Sequence, residues 1–269
     1  YTLSLHDALP IYNVDLILQG PASEDMVEQQ VNMLQDVLTQ NPAVLCVAPS
    51  QPPTVLPVLD KAKAKGIPVI VIDTKLPDEY TDFASFIGTT NINGGKQGGR
   101  YLASLLHKGD KVALILGAPG NPSTTDRVTG AQQELEKAGM VIAAVQPAYS
   151  DRERGMTVMQ NILQANPDIK GVFSSNDEMA LGALRALKQA GKDIPVIGFD
   201  AIGDACKSIL AGEMAGSVAQ APYDMGRLGI EMAIKLSKGE TIDKRIDSGT
   251  KMTTKDNAQE LLDFLAGIK

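Results

Sequence analysis

The sequence has no excess of basic residues: 25 Lys and Arg stand against 32 Asp and Glu, a formal net charge of −7 at pH 7. No run of like charge offsets this, which argues against nucleic-acid binding, since proteins that track phosphate display a basic face. Long apolar runs are missing too. The longest are of strand length and broken by Pro or Gly, well short of the roughly 20 residues a membrane helix needs, so no membrane span is expected. There are two histidines, His6 near the start and His107 near a predicted helix end, and no Gly-x-Ser-x-Gly elbow, which sets aside nucleophilic triads and His-based metal sites. The two cysteines, Cys46 and Cys206, form no metal-ligand or redox spacing and read as two buried thiols. Gly94-Gly95-Lys96-Gln97-Gly98-Gly99 lacks the glycine spacing and the Lys-Ser/Thr of a phosphate-binding loop and reads as a site of close helix packing. Gly117-Ala118-Pro119-Gly120 lacks a dinucleotide fingerprint, so no cofactor is called for.

What remains is a chain whose 43% hydrophobic content is ample for real cores. From Asn13 onward apolar runs alternate with segments of helical period, the signature of βαβ units and parallel sheets. Strands are expected near 13–18, 43–48, 68–72, 83–87, 111–116, 141–146, 169–173, 194–199 and 215–219. Helices are expected near 24–39, 54–65, 92–107, 123–138, 152–165, 177–190, 203–211, 223–238 and 255–267. Pro42, Gly139 and Pro167 mark helix ends, because Pro cannot continue a helix and Gly takes the left-handed cap.

The most informative stretch runs from Gly171-Val172-Phe173-Ser174-Ser175-Asn176-Asp177 through a helix to Ile194-Pro195-Val196-Ile197-Gly198-Phe199-Asp200. An apolar strand stops at a polar tip, Asn176 sits where a helix N-cap belongs, and Asp177 and Glu178 occupy the first turn, where the helix dipole favours carboxylates. The next strand ends on Asp200. In a parallel sheet these tips share the carboxyl edge, where ligands bind. A second segment echoes the first about 127 residues upstream: a helix end, a Gly, then Ile67-Pro68-Val69-Ile70-Val71-Ile72-Asp73. The echo implies two similar lobes, each with one Asp at its strand tips, and facing lobes would form a cleft for a small molecule.

Asp73 and Asp200 end all-apolar strands and so need donors, which sugar hydroxyls supply; their plain reading is a strand-end cap. Asn176 can donate and accept, as a hydroxyl does, or serve as an N-cap alone. Arg127, near the start of a helix at the same edge, is a fixed fork suited to ring and hydroxyl oxygens, with a solvated helix Arg as the alternative. Gln220 ends the strand Ala215-Gly216-Ser217-Val218-Ala219, where the chain could cross between lobes.

At these residues the chain resembles the periplasmic sugar-binding proteins of ABC transporters, close to the ribose-binding branch. The likeness is densest from Met156-Thr157-Val158-Met159-Gln160-Asn161 through Asn176–Ala183 to Gly198-Phe199-Asp200 and extends over most of residues 12–250. It implies a type I periplasmic binding protein fold, two doubly wound parallel-sheet α/β lobes joined by three crossover strands near Thr89-Thr90, Gln220-Ala221 and Asp247-Ser248, closing on a sugar. The N-terminal lobe would hold 11–89 and 221–247, the C-terminal lobe 90–220 and 248–269. The positions that match sugar-ligating ones in the family are Asp73 and Thr89 on one lobe and Arg127, Asn176, Asp200 and Gln220 on or beside the other. The pattern departs at Thr74, where the family has Arg, at Ala48, where it has Asn, and at Ser150, where an aromatic is expected and Tyr149 stands next to it. Thr74 and Tyr149 join the candidate ligand set, and a pentose, hexose, polyol or cyclitol fits at least as well as ribose.

Residues 1–10 fall outside the pattern and read as a non-native tail without the features of a signal peptide. Residues 12–18 match the family's second strand, so the first strand-helix unit is missing from the match. A chain without it is expected to be less stable and to bind sugar poorly, because a lost inner strand leaves backbone groups unpaired. The leading expectation is a monomeric, non-enzymatic receptor of the periplasm or cell envelope that presents a monosaccharide or polyol to an ABC permease. Its rivals are the effector domain of a LacI-type repressor, which shares the fold, and a carbohydrate enzyme using Asp73 and Asp200 as an acid/base pair.

Overall fold

The computed structural model describes residues 15–22 and 26–267. The tail read at 1–10 lies outside the described residues. The chain divides into two compact units, each built from two separated stretches: the described residues up to Thr89 with Ala221–Gly249, and Thr90–Gln220 with the residues from Thr250 onward.

The elements, in chain order, are α1 (Val27–Thr39), β1 (Leu45–Val47), α2 (Pro52–Ala64), β2 (Val69–Ile72), β3 (Ser85–Gly88), α3 (Asn91–Ser104), β4 (Lys111–Leu116), α4 (Pro122–Lys137), β5 (Val141–Pro147), α5 (Arg152–Ala165), β6 (Ile169–Ser174), α6 (Asp177–Gln189), β7 (Val196–Asp200), α7 (Gly203–Leu210), β8 (Gly216–Ala219), α8 (Pro222–Ser237), β9 (Arg245–Asp247), β10 (Lys251–Thr253) and α9 (Ala258–Gly267).

In the first unit the strands order as β1-β2-β3-β9, all parallel. Side chains alternate across this sheet. Leu45, Val47, Val69 and Val71 turn toward Leu34 and Leu38 of α1 and Val55, Val58 and Leu59 of α2, while Ile70 and Ile87 turn to the opposite face and pack on Met225 and Met232 of α8. Two apolar faces on one sheet demand helices on both, which is the doubly wound arrangement.

Two expectations fail here. No strand forms over 15–18, the described part of the stretch 13–18, and Ile17 and Leu18 stay 44% and 37% exposed. The segment pairs with none of the described strands, so its backbone has no ladder to join and its apolar side chains find no layer. Cys46 is exposed rather than buried. It points to the α8 face of β1, and α8 covers Ile70 and Ile87 without covering it.

The second unit carries the sheet β10-β8-β7-β6-β4-β5, parallel except for β10, which runs antiparallel to β8. Val112, Leu114, Phe173, Ile197, Phe199 and Val218 face Leu102 of α3 and Val128, Ala131 and Leu135 of α4. Ala113, Ile115, Val172 and Val196 face α5, α6 and α7. Cys206 lies in this second core, and burial pushes its thiol up to about 11.

The glycine-rich motif forms the contact surface of α3. A Cβ at Gly95 would lie 2.0 Å from the Arg127 carbonyl oxygen, and one at Gly99 2.6 Å from that of Ala131, so α3 and α4 touch backbone to backbone. About 100° around the helix axis, Cβ atoms at Gly94 and Gly98 would fall 2.7 Å from the Phe199 ring and 2.6 Å from the Phe173 ring. Glycine costs a helix about 1 kcal/mol per residue relative to Ala, and here that cost is offset by the close approach of the helix to its neighbours.

Candidate functional site

The second unit gathers its polar groups at the carboxyl ends of its strands. α4 starts on Pro122 behind Asn121, whose side chain accepts from the N–H groups of Ser123 and Thr124 at 2.9 and 3.2 Å. This fixes the first turn, and the contact with Gly95 draws α4 onto α3, so that Arg127 lies buried beneath the strand tips. Its Nε donates to Asn91 Oδ1 at 2.8 Å, and its Nη1 donates to the Ser175 carbonyl at 2.9 Å and to Asp200 Oδ1 at 3.1 Å. The guanidinium lies 3.9 Å from the Phe199 ring centroid, a cation–π contact that also fixes its plane. Asp200 Oδ1 accepts a second bond, from Gln220 Nε2 at 2.5 Å. Arg127, Asp200 and Gln220 therefore form one cluster, and the two N–H groups of Arg127 Nη2 have no hydrogen-bond partner among the described residues.

Asn176 caps α6, accepting from the Met179 N–H at 3.0 Å, while its Nδ2 reaches the Ser150 carbonyl at 3.4 Å. The cap thus occupies the amide oxygen and joins this tip to the Tyr149–Ser150 turn. Tyr149 and Ser150 have φ of +57° and +60°, and the exposed Tyr149 ring lies 5.0 Å from the Arg154 guanidinium carbon. No hydrogen bond or ring contact joins Tyr149 to the Arg127 cluster.

Asp200 and Ala201 are also left-handed, at φ +103° and +51°, a conformation that costs non-glycine residues on the order of 1–3 kcal/mol each. The echo residue in the first unit shares it: Asp73 has φ +64°, and the Thr74 N–H closes back on the Ile72 carbonyl at 2.7 Å, a γ-turn. The Asp73 N–H donates to the Ile87 carbonyl at 2.9 Å, which keeps the turn tied to β3. Gly88 makes room for it, since a Cβ there would lie 3.1 Å from the Asp73 carbonyl oxygen. Thr74 is buried and its hydroxyl donates to Asp73 Oδ2 at 3.1 Å. Thr89, also buried, lies 3.4 Å by its hydroxyl from that of Ser248.

Sequence reasoning missed three buried partners. Asn91 orients Arg127, while Asp177 and Ser217 brace the Asp200 turn. Asn91 could have been noticed as an amide following Thr89-Thr90 at the head of the glycine-rich helix. Asp177 was visible only as a first-turn acid, and Ser217 carried no signal. Among the described residues no group of three or more His, Cys, Asp or Glu side chains is placed to hold a metal ion, and no helix is long and apolar enough to cross a membrane.

Comparison with known proteins places this geometry in a family. The periplasmic binding protein domain matches residues 5–241. The ribose import binding protein of Salmonella typhimurium is 36% identical over 234 residues, covering 87% of this chain and 78% of the relative. The D-allose-binding periplasmic protein of Escherichia coli is 31% identical over 243 residues, 87% of this chain and 78% of the relative. Among solved structures, an ABC transporter periplasmic solute-binding protein from Actinobacillus succinogenes with bound D-allose superposes with a TM-score of 0.89 at 28% identity, covering 96% of this chain and 92% of that one. The chain belongs to the periplasmic binding protein domain family and has the ribose-binding-like α/β fold.

Proposed function

We propose that this protein is the substrate-binding component of an ABC sugar importer, a receptor that takes up a monosaccharide or polyol and delivers it to a membrane permease. It is a binding protein and not an enzyme, as its ribose- and allose-binding relatives are. The observation that carries the reading is the Arg127–Asp200–Gln220 cluster. A guanidinium held flat on Phe199 by three hydrogen bonds keeps its Nη2 donors for a ligand oxygen, and Asp200 is fixed as an acceptor beside it. Fixed donors and acceptors of both kinds discriminate hydroxyl stereochemistry, since a hydroxyl that cannot pair leaves a site group unsatisfied. Asn176 and Tyr149 complete the set in this unit, and Asp73, Thr74 and Thr89 supply that of the other. The exchange of Arg for Thr74 removes a charged donor, which favours a sugar other than ribose. The protein works as a monomer in the periplasm or cell envelope.

Thermal-shift and calorimetric titration of the full-length gene product against pentoses, hexoses, polyols and cyclitols tests this. At least one is expected to raise the melting temperature, bind at one site and be recovered unchanged. A shift with none, or chemical conversion of the bound sugar, would overturn the proposal.

A further inference from the structure

Asp177 follows the Asn176 cap as the first residue of α6 and has no exposed surface. Its carboxylate accepts the Ser217 hydroxyl at 2.7 Å and the Ile202 N–H at 2.9 Å, and Ser217 Oγ in turn accepts the Ala201 N–H at 3.0 Å. The peptide N–H groups of the two residues after Asp200 are thereby pinned to one buried pair. They are pinned where the chain is strained: Asp200 and Ala201 stand in the left-handed region with no glycine to relieve them, so the surrounding bonds must hold the turn. Room for the carboxylate comes from Gly198, whose Cβ would lie 2.1 Å from Asp177 Oδ1 and which pairs with Ser217 in the β7–β8 register. One carboxyl group thus joins three tips that carry candidate ligand groups: the start of α6 after Asn176, the end of β7 at Asp200, and β8, which leads to Gln220.

We infer that Asp177, acting with Ser217, is a positioning residue that sets the direction of the Asp200 carboxylate and so the affinity and selectivity for sugar, without touching the sugar. The inference rests on Asp200 being a sugar ligand. It differs from a general stabilising role in one respect: the effect must pass through Asp200, so it must vanish when Asp200 no longer offers a carboxylate.

A double-mutant cycle reads this directly. Calorimetric affinity for the tightest-binding sugar of the panel is measured for the full-length protein, Ser217→Ala, Asp200→Asn and the double variant, with the melting temperature of each unliganded form. Ser217→Ala is expected to weaken binding about tenfold in the parent but less than about twofold in the Asp200→Asn background. Asp177→Asn, carried through the same cycle, keeps an amide oxygen for Ile202 and an NH₂ for Ser217 and is expected to bind within about threefold of the parent. Equal losses in both backgrounds would make the pair a general brace and overturn the inference. Undiminished affinity in Asp200→Asn alone would overturn the assignment of Asp200 as a ligand and the inference with it, and the single variant reports that outcome separately.

Discussion

Arg127 Nη1 lies 3.1 Å from Asp200 Oδ1, in an ion pair whose side chains are 7% and 25% exposed. Taking such charges out of water is costly, and a buried pair is retained only when other bonds satisfy the rest of each group. Here Asn91, the Ser175 carbonyl, the Phe199 ring and Gln220 supply most of those bonds, and the Nη2 N–H groups of Arg127 are the exception. Replacing Arg127 with Ala leaves Asp200 without its counter-charge; the expected cost is about 2–4 kcal/mol of stability by urea unfolding, with sugar affinity lower by about a hundredfold. Arg127→Lys is expected to keep part of the stability and little of the affinity, because an ammonium cannot hold the fork or lie flat on Phe199.

The helix contact that carries Arg127 is testable without touching the cluster. Gly95→Ala places a methyl 2.0 Å from the Arg127 carbonyl oxygen, which is backbone and cannot swing aside. A loss of about 1–3 kcal/mol is expected, together with weaker sugar binding. Gly203→Ala is the control. Its Cβ meets nothing closer than Leu262 Cδ1 at 3.8 Å, and a gain of up to about 1 kcal/mol in a helix position is expected. Equal stability of the two variants would contradict the packing described.

Asp73 separates backbone from charge. Asn tolerates a left-handed conformation better than Ala, so Asp73→Asn is expected to unfold close to the parent and Asp73→Ala to lose about 1 kcal/mol more. Both should weaken sugar binding to a similar extent, since both remove the carboxylate. Calorimetry and thermal melts on the same samples check this.

Asp177 predicts a pH dependence. Burial, then the neighbouring Asp200 charge, pushes its carboxyl well above the ordinary 3.8, against the opposing pull of Ser217, the Ile202 N–H and Arg127. The folded state therefore holds this proton more tightly than the unfolded chain. Stability from Asp177 is full below 3.8 and is lost as pH rises through the higher folded value. Asp177→Asn cannot ionise, so its melting temperature relative to the parent should rise as pH climbs from 3.8 toward the folded value and level off above it. A difference that does not change with pH would contradict the account.

Much of the fold was legible because each unit repeats one arrangement, an apolar strand followed by a helix with a punctuated end. The Ile-Pro-Val-Ile runs mark β2 and β7 in both halves, and the cap at Asn176 and the close packing of Gly95 and Gly99 followed from residue type alone. β9 and β10 are three residues each and polar at the ends, too short to show a period. The strand expected near 13–18 does not form over its described part, 15–18, for the opposite reason: local apolar pattern cannot form a ladder that has no neighbour. Asn91 bonds Arg127 across 36 positions and Ser217 bonds Asp177 across 40, so these partners become visible only once the strands are ordered. Cys46 was misplaced because a strand's apolar character does not say which of its faces a helix covers.

Asp200 and Arg127 are the residues proposed to ligate a sugar. Calorimetric titration of the full-length protein and its Asp200→Asn variant with each sugar of the panel measures this most directly. The account predicts one-site binding of at least one sugar and a loss of about ten- to a hundredfold in the variant, the worth of one charged hydrogen bond. Binding of no sugar, or equal affinity in both proteins, would contradict it.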